Sequence, residues 1–244
     1  RQFDRIKREL GIFNEELSKI PNDYIKYLFS GHRGSGKTVE LLRFQREIHR
    51  PEQYFSVFVS LQEEIEINRL QPEDPYFLLI TKLLRELRKH NVRYDKAEFE
   101  EIAAEWIGDK EESKEIKHRR GGEAGLSAKA GTGFWDFIIS AEGSLKGFYG
   151  YETASNERIR HSIRRKPGDL VQRFNQALIG VRHALQKQKK GRDLLFIVDD
   201  FEKSRPEVYN NVFLVDTKFM QEMQVHLICC DPIQTIYQEQ NQAA

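Results

Sequence analysis

Residues 24–48 read YIKYLFS, GHRGSGKT, VELLRFQREI, and this stretch decides the fold. Gly31, Gly36, Lys37 and Thr38 fit the pattern G-x-x-x-x-G-K-[ST], with an apolar, aromatic run before it and an amphipathic run after it. Leu41, Phe44 and Ile48 fall at i, i+3 and i+7, so the spacing predicts a helix that begins where the glycines stop. A strand over 24–30, a loop, and a helix ending near His49, ahead of Pro51, follow from this reading. The alternative, a chance Gly-rich turn after an edge strand, does not account for the helix stripe that follows.

The residue types suit a polyphosphate. Glycines at 31, 34 and 36 allow tight turning and close backbone approach without a Cβ in the way. Free N–H groups of the loop and first helical turn point at an anion, with the helix dipole behind them. Lys37 adds a mobile point charge, and the Thr38 hydroxyl can bind Mg²⁺. The candidate nucleotide-binding set is Gly31, His32, Arg33, Gly34, Ser35, Gly36, Lys37, Thr38 and Val39. Arg33 can reach a phosphate, although side chains at such loop positions usually point outward.

A second signal lies at 194–200, LLFIVDD: five apolar residues, then two carboxylates where a buried strand ends. Ligands of parallel α/β sheets bind at that end of the strands. Asp199 is the candidate metal ligand beside Thr38. Asp200 is the candidate catalytic base beside Lys37, with Glu202 as its competitor. A turn or helix-capping role is the alternative for either aspartate.

The wider chain sets bounds. With 39 basic against 38 acidic side chains, net charge gives no reason to expect a polyanionic or membrane partner. No apolar run approaches the ~18–20 residues needed to cross a bilayer, so no membrane span is expected. The only two cysteines, Cys229 and Cys230, are adjacent and form neither a sensible disulfide nor a metal set. They read as buried strand thiols, and a reducing, cytoplasmic setting is expected.

Residues 1–20 predict one or two short helices broken near Gly11, within an N-terminal helical segment 1–23. A buried strand is expected over 54–61. A helix then opens on Asp74-Pro75, with the stripe Ile80, Leu83, Leu84, Leu87. Another opens on the Asp95/Glu98 capping box, with Phe99, Ile102, Ala103 and Trp106 inward. Composition then changes: 109–166 reads as an insertion, a charge run followed by a Gly/aromatic-rich stretch (121–150) whose alternation predicts a β-hairpin or small meander, with a flexible low-complexity linker as the alternative. A basic cluster at 158–166 is broken by Pro167-Gly168. Asp169 and Gln172 open a helix carrying Phe174, Ala177, Leu178, Val181 and Leu185, which Gly191 ends. A helix with Val208, Val212, Val215 and Phe219 and a last strand over 225–230 complete the chain. Unalternated apolar strands between helices predict an α/β fold, a mainly parallel sheet covered on both faces.

GHRGSGKT followed by VELLRF, together with LLFIVDDFEK, resembles the additional-strand class of P-loop ATPases, and within it the AAA-type and STAND-type ATPases of bacteria. The resemblance covers about 24–235. It implies a three-layer P-loop NTPase fold in which one strand, late in sequence, lies between the phosphate-loop strand and the magnesium-aspartate strand. It further implies ATP and Mg²⁺ as cofactors, ATP hydrolysis, and nucleotide-driven homo-oligomers working with effector domains or protein partners. Members with a Gly-rich insertion are frequent in bacterial antiviral defence. No N-K-x-D motif occurs, which favours ATP over GTP. The chain departs from the pattern in having Asp200 where AAA proteins carry glutamate. It also has Cys229-Cys230-Asp231 where a polar sensor is usual, and it ends before a helical lid, as expected for the core of a longer protein. Two other functions stay open on the sequence: a nucleotide-sensing switch with negligible hydrolysis, and a DNA-dependent motor or loader using the basic cluster at 158–166.

Overall fold

The computed structural model describes residues 2–32, 34–72, 74–107, 161, 167–210, 212 and 221–232. The insertion hairpin expected within 109–166, nearly all of the basic cluster, and the positions Val215 and Phe219 lie outside the described residues.

Four strands form one parallel sheet: β3 (Lys26–Gly31), β4 (Tyr54–Ser60), β5 (Asp193–Asp199) and β6 (His226–Pro232). Their order is β3-β6-β5-β4, so the last strand in sequence is inserted between the strand that leads into the glycine loop and the strand that ends on Asp199. Central β5 is buried along its whole length, which explains why its sequence is apolar without alternation.

Helices cover both faces, giving a mixed α/β architecture. On one face lie α1 (Gln2–Glu9) and α2 (Lys37–Ile48). Ile6 of α1, Leu10 just after it, and Leu41, Phe44 and Ile48 of α2 pack with Phe29, Leu195, Ile197 and Ile228, while Phe3 stacks on Phe29 and Phe44. On the other lie α4 (Asp74–Lys89), α5 (Ala97–Ile107) and α6 (Pro167–Lys187), following a short α3 (Leu61–Glu64). The expected stripes of these helices are buried wherever their side chains are described. Each large apolar side chain so buried contributes about 1.5–3 kcal/mol.

Three local expectations are corrected. After α1 the N-terminal segment turns into a hairpin, β1 (Ile12–Phe13) against β2 (Glu16–Leu17), in place of a second helix. Asn14 and Glu15 both take positive φ (49° and 64°), the pattern of a two-residue type I′ turn. Gly11 enters it at φ 77°, where a Cβ would lie 1.9 Å from the Lys19 carbonyl oxygen. Helix α6 begins at Pro167, two residues earlier than expected, since proline costs nothing at a first helical position. Its end is made by Lys189, at φ 53°, with the Lys190 N–H donating to the Leu185 carbonyl. Gly191 serves packing instead: a Cβ there would come within 2.8 Å of the Phe55 nitrogen. Past β5, α7 (Pro206–Asn210) is the described start of the helix expected through Phe219, and most of its remainder lies outside the described residues.

Candidate functional site

The glycine loop leaves β3 and feeds α2 at the C-terminal edge of the sheet. Gly34 and Gly36 take φ of 82° and 83°, and a Cβ at either would meet nothing within 4 Å. Glycine is needed there for backbone conformation, and the space beside the loop is open. Gly36 caps α2 without any side-chain hydrogen bond, and the N–H groups of a first helical turn have no partner within the helix itself. Gly31 answers to a different demand: a Cβ would press on Ser35 Oγ at 3.2 Å and on Lys37 Cδ at 3.3 Å. His32, Ser35, Thr38 and Val39 are exposed, and Arg33 lies outside the described residues.

Lys37 is only 5% exposed, and its ammonium is held by three oxygens. It donates to the carbonyls of Gly31 and His32, each at 2.9 Å, and pairs with Glu202 Oε1 at 3.4 Å. An ammonium has three protons to give, so the chain itself saturates this one. The glycine loop and the segment after β5, remote from each other in sequence, therefore meet at the contact between Lys37 and Glu202.

Asp199 ends β5 with no solvent exposure. Its Oδ1 accepts from the Asp200 N–H at 2.9 Å, while Oδ2 has no hydrogen-bond partner. Glu202 Oε2 is likewise buried and unpartnered. Ligand atoms of Asp199, Glu202 and Cys230 all lie within 4.8 Å of one another. Burial, and then the hydrogen bond to the Asp199 carboxylate, push the Cys230 thiol well above its ordinary pKa.

Asp200 goes elsewhere. At φ 79° it reverses the chain after β5, and its carboxylate is engaged by other groups. The Ser60 hydroxyl donates to Oδ2 at 2.5 Å, the Gln62 N–H approaches the same oxygen at 3.4 Å, and Lys203 forms an ion pair with Oδ1. Ser60 also accepts from the Glu63 N–H as the cap of α3, so Asp200 ties the end of β5 to the end of β4. The single 3-10 turn Phe201–Lys203 that follows swings Glu202 back toward Lys37. Of the two acids weighed for the base, the structure brings Glu202, and not Asp200, to the lysine.

Cys230 is the residue the sequence reading passed over at this site. Strand parity was the available signal: adjacent side chains alternate faces, so one of the two cysteines has to emerge on the α2 side. A separate cleft of ≈ 250 Å³ along α6, lined by residues including Val171, Asn175 and Glu222, shares no residue with this site. No protein-family model, curated protein or solved structure matches the chain.

Proposed function

We propose that this chain is the core of a Mg²⁺-dependent ATPase. The observation that carries the reading is the buried Lys37–Glu202 contact, which joins the glycine loop to the acidic end of β5. Lys37 and the loop N–H groups hold the phosphates, with the first turn of α2 adding its dipole. The residues fit a divalent ion, because Asp199 Oδ2 is a buried carboxylate oxygen without a hydrogen-bond partner, close to the Glu202 that contacts Lys37 of the glycine loop. Asp199 and Thr38 would hold the ion, which would supply neutralisation of phosphate charge. Glu202, released from Lys37 when phosphate oxygens take over the ammonium, is the group placed to accept a proton from a nucleophilic water.

Strand order supports the same reading, since β6 lies between β3 and β5 as the resemblance implies. We extend the proposal to assembly: nucleotide binding drives a homo-oligomer that engages effector domains or protein partners, in the manner of bacterial antiviral ATPases. Among the described residues no helix is long and apolar enough to cross a membrane.

A switch that binds nucleotide without turnover is the second reading. The anchoring of Asp200 on Ser60 and Lys203 favours it, because that residue is withdrawn from any part in hydrolysis. Equilibrium binding of a fluorescent ATP analogue, phosphate release, and mass in solution with and without Mg-ATP separate the two. For the ATPase, Lys37→Ala reduces phosphate release to background and abolishes the mass change. Full turnover by that variant defeats the proposal. Retained nucleotide with no release in the unaltered protein selects the switch.

A further inference from the structure

Cys229 and Cys230 are neighbours in β6 but belong to different cores: Cys229 packs under α4, α5 and α6, and Cys230 faces the α2 side. There its sulfur joins a carboxylate oxygen from Asp199 and one from Glu202, the three within 4.8 Å of one another. Asp199 is fully buried and keeps one oxygen without a partner, as does Glu202. Such oxygens destabilise a fold unless something claims them. Magnesium prefers six oxygen donors in near-octahedral order and gains little from sulfur. A thiolate with two carboxylates suits a softer ion instead.

We infer that Asp199, Glu202 and Cys230 form a three-ligand site for a thiophilic divalent cation of the zinc class. Three protein ligands leave one tetrahedral position open, for water or an anionic oxygen. On binding, the Cys230 S–H bond breaks, the sulfur lone pair forms the bond to the metal, and the proton leaves to solvent. No electron is transferred. Lys37, 3.4 Å from Glu202 Oε1, is the built-in competitor, because an arriving cation must displace its ammonium. One consequence rests on the ATPase reading: zinc-class ions compete with magnesium for Asp199 and inhibit turnover. The metal site itself does not rest on that reading.

Cobalt(II) alone, titrated into the full chain without nucleotide, tests the site through the near-ultraviolet band of a thiolate–cobalt bond. A saturable band is expected, displaced by zinc and unmoved by magnesium. Cys230→Ser abolishes it and Cys229→Ser keeps it. Lys37→Met, which removes the competing ammonium, binds cobalt about tenfold more tightly. No band in the unaltered protein, a band that survives Cys230→Ser, or weaker binding by Lys37→Met overturns the inference. Should Cys230→Ser fail to fold, Glu202→Gln serves in its place: at least about tenfold weaker cobalt binding supports the site, and unchanged binding overturns it. Since the assay contains no ATP, a missing band leaves the ATPase reading standing. Failure of ATP to bind a protein that shows the band sinks only that reading.

Discussion

Strand β5 starts and finishes on a buried aspartate, and the two ends differ in what surrounds the carboxylate. At the start, Asp193 Oδ1 accepts from Arg182 Nε and from the Leu194 N–H, both at 2.6 Å, and Oδ2 faces His226 Nε2 at 3.7 Å. Burial alone would raise its pKa. The His226 ring, the Arg182 guanidinium and the Leu194 N–H overcome that and hold it below the usual carboxylate value. Arg182 lies over the Tyr24 ring as well, 5.2 Å from its centre. At the finish, Asp199 has one backbone N–H and the Cys230 thiol beside it, and its Oδ2 makes no hydrogen bond of normal geometry. The two share residue type, strand and near-equal burial, yet one carboxylate is consumed by the fold and the other is left for something else. Unsatisfied buried polar atoms are uncommon in native proteins, and an ordinary structural role does not explain this one.

The sharpest way to break the comparison is to remove the second carboxylate. Asp199→Ala should take phosphate release to background while thermal unfolding shows little loss of stability, because a buried carboxylate oxygen without a partner disappears with it. A large fall in Tm would make Asp199 as structural as Asp193. Next comes the acid that approaches Lys37. Glu202→Gln should slow turnover about 10²–10⁴-fold with nucleotide still bound, and Asp200→Asn should slow it less than about tenfold. The reverse ranking in steady-state kinetics would return the base to Asp200.

At the structural end, Asp193→Ala should cost about 3–5 kcal/mol in chemical denaturation, by leaving Arg182 without its buried partner. Nucleotide affinity of the folded fraction should not change. The smallest effect concerns pH. The folded-state pKa of Asp193 is depressed, so its contribution to stability is present above the unfolded value of about 3.9 and is lost as pH falls through the folded one. Acid unfolding below about pH 4 should therefore be less steep in Asp193→Asn than in the unaltered protein.

Much of this was legible in advance where the information is local. The glycine loop, its helix, and the apolar run into Asp199 are each contiguous, and periodicity alone places them. The N-terminal hairpin was not, because two-residue strands are shorter than any periodic window and glutamate, as at Glu15, does not signal positive φ. Choosing between Asp200 and Glu202 was beyond the sequence for a related reason. It depends on one left-handed residue and one 3-10 turn, and both are fixed by Ser60 and Lys203, partners that a linear pattern does not reveal. Cys230 was missed because a buried thiol and a thiol at a site look identical until the strand has a register.

That register also governs damage. With their sulfurs turned to opposite sides of one strand, Cys229 and Cys230 cannot close a vicinal disulfide unless the sheet comes apart. The chain has no third cysteine. A sulfenic acid formed at Cys230 would therefore have no resolving thiol among these 244 residues.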